Sequence, residues 1–121
     1  MQNEKQILIN YGVSGASVQK SAEIEKTIWK TTEFDMASKA SPDVVVIMLG
    51  TNDVRKSEWN QGQFFNDYVE LIKVFQNLKS KPQVFVTIPP PITLAINYGN
   101  YQQDVMNKVV SKMIPEIAAK A

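Results

Sequence analysis

The sequence contains no cysteine and no histidine among its 121 residues. Without cysteine there is no disulfide framework, no thiolate nucleophile and no Cys-type metal site. Without histidine, a general base within this chain would have to be another residue type. Lysine plus arginine (13) and aspartate plus glutamate (12) nearly cancel, leaving a net charge of +1. This balance argues against a nucleic-acid surface or a polybasic membrane surface, so neither partner is expected.

Long hydrophobic runs are also absent. No stretch approaches the roughly 18 apolar residues that cross a membrane, and the first residues contain no long apolar segment of a signal peptide. With 44% hydrophobic residues over 121 positions, the chain is predicted to be a single soluble globular domain over residues 1–121. That length is short for a complete doubly wound enzyme.

Strand and helix patterns alternate along the chain, which predicts a mainly parallel sheet with helices on its faces. Strands are predicted at about residues 6–10, 43–49 and 83–88. A short helix is predicted from Thr32, as its N-cap with a carboxylate three residues later, to about Lys39. Apolar residues at three- and four-residue steps predict helices over about 61–79 and 101–119, the second containing Pro115.

A glycine turn carrying an amide side chain follows the second predicted strand. The apolar residues 44–48 lead directly into Leu49-Gly50-Thr51-Asn52-Asp53, and the carboxyl ends of strands are where open α/β sheets place their chemistry. Asn52 offers a neutral N–H donor to a developing negative charge. The turn is typical of half an oxyanion hole, although Asn52 could instead only tie the turn to nearby backbone.

A second turn of this kind lies upstream, where Ile7-Leu8-Ile9 runs into a segment containing Gly12-Val13-Ser14-Gly15-Ala16. Together the two turns resemble the SGNH hydrolases, also called GDSL esterases and lipases. In that family a glycine block and a Gly-x-Asn-Asp block each supply one oxyanion donor. Pro89-Pro90-Pro91 is similar to the acetylesterase-type members. The resemblance covers nearly the whole chain from about Ile7.

The resemblance implies a three-layer α/β/α, flavodoxin-like domain with a mainly parallel but incomplete sheet. It implies that the Gly15 backbone N–H and the Asn52 amide are the oxyanion donors. The substrate it implies is a small-molecule carboxylic ester, such as an O-acetyl ester on a sialic acid. No metal or organic cofactor is implied.

Two blocks of the family are missing from this chain: the Gly-Asp-Ser block with the nucleophile and the Asp-x-x-His block with the base. We therefore expect the serine and the histidine to lie outside the chain, which would be a piece of a longer protein and inactive alone. In the family's strand order, 2-1-3-4-5, the missing strand separates the first two predicted strands. Alternatively, these two strands pair directly, or another copy fills the gap by strand exchange in a homo-oligomer.

Other residues of the two turns are candidate substrate contacts. Ser14 lies in a pattern one residue short of the Gly-x-Ser-x-Gly nucleophile elbow, but no histidine is present to take its proton. Thr51 would place a hydroxyl at the rim. Asp53 would oppose a developing oxyanion, so we expect its carboxylate to turn away and anchor backbone or a cation.

Four aromatic residues are the remaining candidates for a site: Trp29, Trp59, Tyr98 and Tyr101. Trp59 follows the Asn52 turn, and Tyr98 lies in the loop after the third strand, so both could line the crevice; aromatics also serve as core.

Two functions other than catalysis stay open. One is a binding module for a small anion or acyl group, and the other is an interaction domain that adds a strand to a partner.

Overall fold

The computed structural model describes residues 5–93 and 100–121. In chain order its elements are β1 (Ala16–Ser17), β2 (Lys26–Thr27), α1 (Thr32–Lys39), β3 (Val44–Ile47), α2 (Gln61–Gln76), β4 (Gln83–Val86) and α3 (Ser111–Lys120). Single-turn 3-10 helices cover Ile28–Lys30 and Asn52–Val54, and a π-helical stretch, Val105–Val110, precedes α3. The fold is mixed α/β with short parallel strands.

Two parallel strand pairs form the sheets of the described residues. β3 pairs with β4, with Val44 opposite Gln83 and Ile47 opposite Val86. The predicted strands at 43–49 and 83–88 are therefore confirmed, in shorter form. β1 and β2 also pair in parallel, with Ala16 opposite Lys26. These two-residue strands were not predicted, because so short a segment shows no alternation of apolar and polar residues.

The predicted strand at residues 6–10 is wrong. Residues 5–13 adopt no regular secondary structure, and the side chains of Ile7, Leu8 and Ile9 are 85%, 96% and 55% exposed. In the described ranges β3 is hydrogen-bonded to β4 alone, so direct pairing of the first two predicted strands is also absent. A strand needs a neighbouring ladder to satisfy its backbone groups, and none is provided here.

A single core joins one face of the β3–β4 pair to α2, which contacts β4 and also packs against α3. Side chains alternate along β3: Val45 and Ile47 join the core, whereas Val44 and Val46 are exposed. α2 and α3 bury a stripe at helical spacing, comprising Phe64, Tyr68, Leu71, Ile72, Phe75, Met113, Ile114 and Ile117. The expected incomplete sheet is present, and the described residues leave its second face uncovered.

Capping bonds fix the helix starts: α2 starts at the predicted residue 61, and α1 starts one residue earlier than predicted. The Oγ1 atom of Thr31 accepts the Phe34 N–H at 3.1 Å, so Thr31 is the N-cap of α1 and Thr32 its first helical residue. The Oδ1 atom of Asn60 likewise accepts the Gln63 N–H at 3.0 Å and starts α2. In both, an extended residue supplies a side-chain acceptor to a free backbone N–H.

The last helix spans residues 103–120, close to the predicted 101–119, but it is not regular. Residues 105–110 are π-helical, and the Ser111 N–H donates to the Met106 carbonyl five residues earlier. Pro115 lies inside α3, where it cannot donate to the carbonyl four residues before it. Within the described ranges, no helix combines the length and apolar character needed to cross a membrane.

Candidate functional site

The carboxyl end of β3 leads into a tight turn that positions two polar side chains. Gly50 adopts φ of 131°, and a Cβ at that position would lie 3.2 Å from Val110 Cγ1, so a glycine is required for the chain to turn against the core. The Asp53 N–H then donates to the Gly50 carbonyl at 3.2 Å, closing the single-turn helix that carries Asn52 and Asp53.

Asp53 joins this turn to the upstream glycine turn. Its carboxylate is fully buried and accepts the backbone N–H groups of Val18 and Gln19 at 2.9–3.0 Å, as well as Gln19 Nε2 at 3.2 Å. Burial raises the pKa of Asp53 from 3.8 to about 6, although the bonds from Val18 and Gln19 oppose that rise. The expected anchoring of backbone is thus observed, and a fully buried carboxylate offers no exposed atom to a substrate.

The Asn52 amide is fixed in one orientation. Its Oδ1 atom accepts from Arg55 Nη2 at 3.2 Å and from the Tyr101 hydroxyl at 2.9 Å, and its Nδ2 atom donates to the Ala16 carbonyl at 3.1 Å. Because a guanidinium can only donate, the oxygen must face Arg55. In the part of the chain that the structure describes, the second Nδ2 proton has no partner. The amide therefore ties backbone with one N–H, and its other N–H is uncommitted among the described residues.

Gly15 lies in the upstream turn, next to the turn that carries Asn52. It adopts φ of 79°, and its carbonyl accepts from Arg55 Nη2 at 3.2 Å. A Cβ at this position would overlap the Glu25 carboxylate. The positive φ favours glycine, whereas the Glu25 carboxylate is the end of a flexible, half-exposed side chain that can move aside. The structure brings the Gly15 and Asn52 turns together, although strand 6–10 is absent.

Arg55 is a central residue that the sequence analysis missed. Its side chain is 3% exposed and lies 3.4 Å from Glu58 Oε1 and 3.7 Å from Glu25 Oε1, with the guanidinium over the Tyr101 ring at 5.4 Å. Glu58 in turn accepts the Ile24 N–H at 3.1 Å. A signal existed in the sequence: arginine and glutamate follow Asn52 at successive three-residue steps, which places them on one side of a helical turn.

The other predicted contacts are dispersed. Ser14 is exposed beside Gly15, and Thr51 is half-buried. Trp59 is half-buried and packs on Phe64 with ring centroids 5.1 Å apart, so part of it serves the core. Tyr98 lies outside the described residues.

Two other aromatic candidates have defined structural contacts. The Trp29 indole Nε1 donates to the Val18 carbonyl at 2.8 Å, and the ring packs edge-on against Phe34. Tyr101 reaches the Asn52 amide through its hydroxyl. Of the two, Trp29 supports the loop after β1, whereas Tyr101 contacts the candidate site itself.

Short parallel strands with polar side chains at their ends are typical of α/β hydrolytic domains. The model of the GDSL-like Lipase/Acylhydrolase family matches residues 2–121 of this chain. The chain belongs to this family, which confirms the resemblance seen in its two glycine turns and indicates an ester hydrolase domain. Neither the curated proteins nor the solved structures contain a significant match.

Proposed function

We propose that this chain supplies the oxyanion hole of an ester hydrolase with a three-layer α/β/α, flavodoxin-like architecture. The donors are the Gly15 backbone N–H and the Asn52 amide. A serine hydroxyl attacks the ester carbonyl, a histidine takes the serine proton, and the carbonyl oxygen becomes the oxyanion. Since the sequence has no histidine and no Gly-Asp-Ser block, the serine and the histidine come from outside these residues.

The orientation of the Asn52 amide carries this proposal. Its oxygen is held by two donors, Arg55 and Tyr101, so its nitrogen faces the Gly15–Ala16 turn with one N–H uncommitted among the described residues. Preorganised neutral donors stabilise developing charge without rearranging at the moment of reaction. This arrangement suits a tetrahedral intermediate better than it suits a cation.

The substrate we propose is a carboxylic ester with a small acyl group, specifically an O-acetyl ester of a carbohydrate such as a sialic acid. The resemblance of Pro89–Pro91 to acetylesterase-type members supports the choice. Ser14, Thr51, Trp59 and Tyr98 remain proposed contacts for the sugar. The kcat/KM for acetate release from O-acetylated sialic acid should be higher than the kcat/KM for hydrolysis of 4-nitrophenyl octanoate. The reverse ranking would replace the acetyl ester by a lipid ester.

The oxyanion assignment is tested by the Asn52→Ala variant of the protein in its native form. With 4-nitrophenyl acetate as substrate, kcat should fall about 10²–10³-fold, with an unchanged circular dichroism spectrum. Asn107→Ala is the matched control, because the Asn107 amide bonds Ile92 instead. Unchanged turnover in Asn52→Ala defeats the assignment. Calorimetric binding of acetate without turnover would favour a binding module.

A second candidate function is strand exchange between two copies of the chain. Val44, Val46, Met48, Phe85 and Ile88 are each 49–65% exposed, and β3 has a free edge among the described residues. Since Asp43 and Ile47 turn their carbonyls towards β4, the alternate residue Val46 turns its backbone groups to the free edge. The exposed residues 7–9 of a second copy are the proposed added strand.

Sedimentation over a range of concentrations tests the exchange. A dimer should form in the wild-type chain, disappear in Val46→Pro, which removes an edge donor, and persist in Val46→Thr, which keeps it. A monomer at all concentrations would exclude strand exchange.

A further inference from the structure

We infer that Arg55, assisted by Tyr101, is a positioning residue that sets which end of the Asn52 amide faces the reaction site. The inference rests on the proposed function only in treating the amide as an oxyanion donor. Arg55 itself would touch no substrate, because its side chain is 3% exposed.

A single nitrogen of Arg55 joins the two candidate halves of the oxyanion hole. Nη2 lies 3.2 Å from the Gly15 carbonyl oxygen and 3.2 Å from Asn52 Oδ1, and it carries two protons, one for each acceptor. A flipped amide would turn its own N–H groups towards the guanidinium, donor against donor. The planar fork of arginine can bridge two acceptors in fixed directions, which the ammonium of a lysine does not reproduce.

The guanidinium is itself held in place from two sides. Glu58 Oε1 lies 3.4 Å from Nη1, and the Glu58 side chain is 8% exposed and anchored by the Ile24 N–H. The Tyr101 ring covers the guanidinium at 5.4 Å. A buried charge with a buried partner and fixed hydrogen bonds has little freedom to turn. The direction in which Arg55 donates is therefore built into the fold.

Tyr101 supplies a second donor to the same oxygen. Its hydroxyl donates to Asn52 Oδ1 at 2.9 Å, so both lone pairs of the amide oxygen are engaged. Donors on the oxygen draw electron density from the amide and strengthen its N–H groups as donors, as hydrogen-bonded chains do in a low dielectric. The pair thus orients the amide and makes it a stronger oxyanion donor.

The side-chain amide resonances of Asn52 in the 121-residue chain test the orientation directly. In Arg55→Lys and in Tyr101→Phe the Asn52 amide is held less firmly. Solvent exchange of its Nδ2 proton that donates to the Ala16 carbonyl should therefore become about tenfold faster, as expected for the loss of one hydrogen bond that fixes the amide. The Asn107 amide, which bonds Ile92 through both ends, is the internal control. An unchanged Asn52 exchange rate, or an equal acceleration at Asn107, overturns the inference.

Tyr101→Phe keeps the test valid should Arg55→Lys fail to fold, because it removes one hydroxyl and retains the ring over Arg55. In the active enzyme this variant should lower kcat about fivefold, leave KM unchanged and cost nothing further in an Asn52→Ala background. An equal loss in that background means that Tyr101 acts independently of Asn52 and overturns the inference. If Asn52→Ala alone keeps full turnover, the proposed function fails, while the amide exchange rates still decide the positioning role.

Discussion

The carboxylate of Glu25 lies against Gly15, where a side chain on residue 15 would have to sit. Its Oε1 atom is 3.7 Å from Arg55 Nη2, and the side chain is 51% exposed. A negative group therefore stands beside Gly15, one of the two candidate oxyanion donors. Because a long, half-exposed ion pair contributes little free energy, Glu25 can leave this position at small cost when a ligand enters.

Replacing Glu25 by alanine should strengthen the binding of a small anion at this site. Removal of the carboxylate frees the space in front of Gly15 and abolishes repulsion of an incoming negative charge. We expect sodium acetate to bind about tenfold more tightly, equivalent to about 1.4 kcal/mol, when followed by backbone amide shifts at Gly15 and Asn52. Glu116→Ala, which removes an equal charge from an exposed position of α3, should leave the affinity unchanged. Equal affinity in Glu25→Ala and wild type would show that Glu25 does not occupy the anion site.

Gly15→Ala should destabilise the fold mainly through its backbone conformation. The φ of 79° costs an L-residue about 1–2 kcal/mol, whereas the Glu25 carboxylate that the new Cβ would overlap can move away at small cost. The double variant Gly15→Ala/Glu25→Ala should therefore recover little of the loss. Urea unfolding measures both, with Gly62→Ala in the first turn of α2 as the control expected to be neutral or stabilising. A Gly15→Ala protein as stable as wild type would contradict the cost assigned to the positive φ.

The sequence predicted those parts of the fold that are encoded locally. The helical spacing from Phe64 to Phe75 and the apolar run before Leu49 are strong signals, so α2 and β3 were found. The meeting of Gly15 and Asn52 also followed from the resemblance. The segment at residues 6–10 was mispredicted because a strand depends on a neighbour that no local pattern encodes.

Arg55 was missed for a different reason. An isolated arginine in a loop is usually solvated. Its burial here depends on Tyr101, which comes from a distant part of the chain, and the nearby Glu58 signals a partner but not burial. The N-cap of α1 was mispredicted by one residue: it is Thr31, whereas Thr32 was predicted. Either threonine could start that helix, and only the backbone angles of Thr31 select it.

Thr31→Ala should therefore cost about 1 kcal/mol of unfolding free energy, the usual value of a lost N-cap. The reason is the free Phe34 N–H that Thr31 Oγ1 accepts at 3.1 Å. Thr32→Ala is the matched control, because Thr32 is exposed and its hydroxyl bonds only the neighbouring Glu33 side chain. Chemical denaturation of both variants should separate them, and equal stabilities would assign no capping role to Thr31.

Protonation of Asp53 should stabilise the fold as the pH falls. Burial raises the pKa of Asp53 to about 6 in the folded chain, against 3.8 as the ordinary value. Between these two pH values the folded protein holds a proton that the unfolded chain has released. The contribution of this group to the unfolding free energy therefore decreases as the pH rises from about 4 to about 6, by a total of about 3 kcal/mol, and is constant above that range.

Comparison of the wild type with the Asp53→Asn variant isolates the pH dependence due to Asp53, because the two proteins share all other carboxylates. An asparagine can still accept the Gln19 N–H through its oxygen but does not titrate. Urea unfolding between pH 4 and pH 7 should give a wild-type advantage over Asp53→Asn that is largest at pH 4 and shrinks towards pH 6. If the unfolding free energies of the two proteins changed equally with pH, the bonds from Val18 and Gln19 would fully offset the effect of burial on the pKa of Asp53. A wild-type advantage that grows with pH would mean that they outweigh it and hold the folded pKa below 3.8.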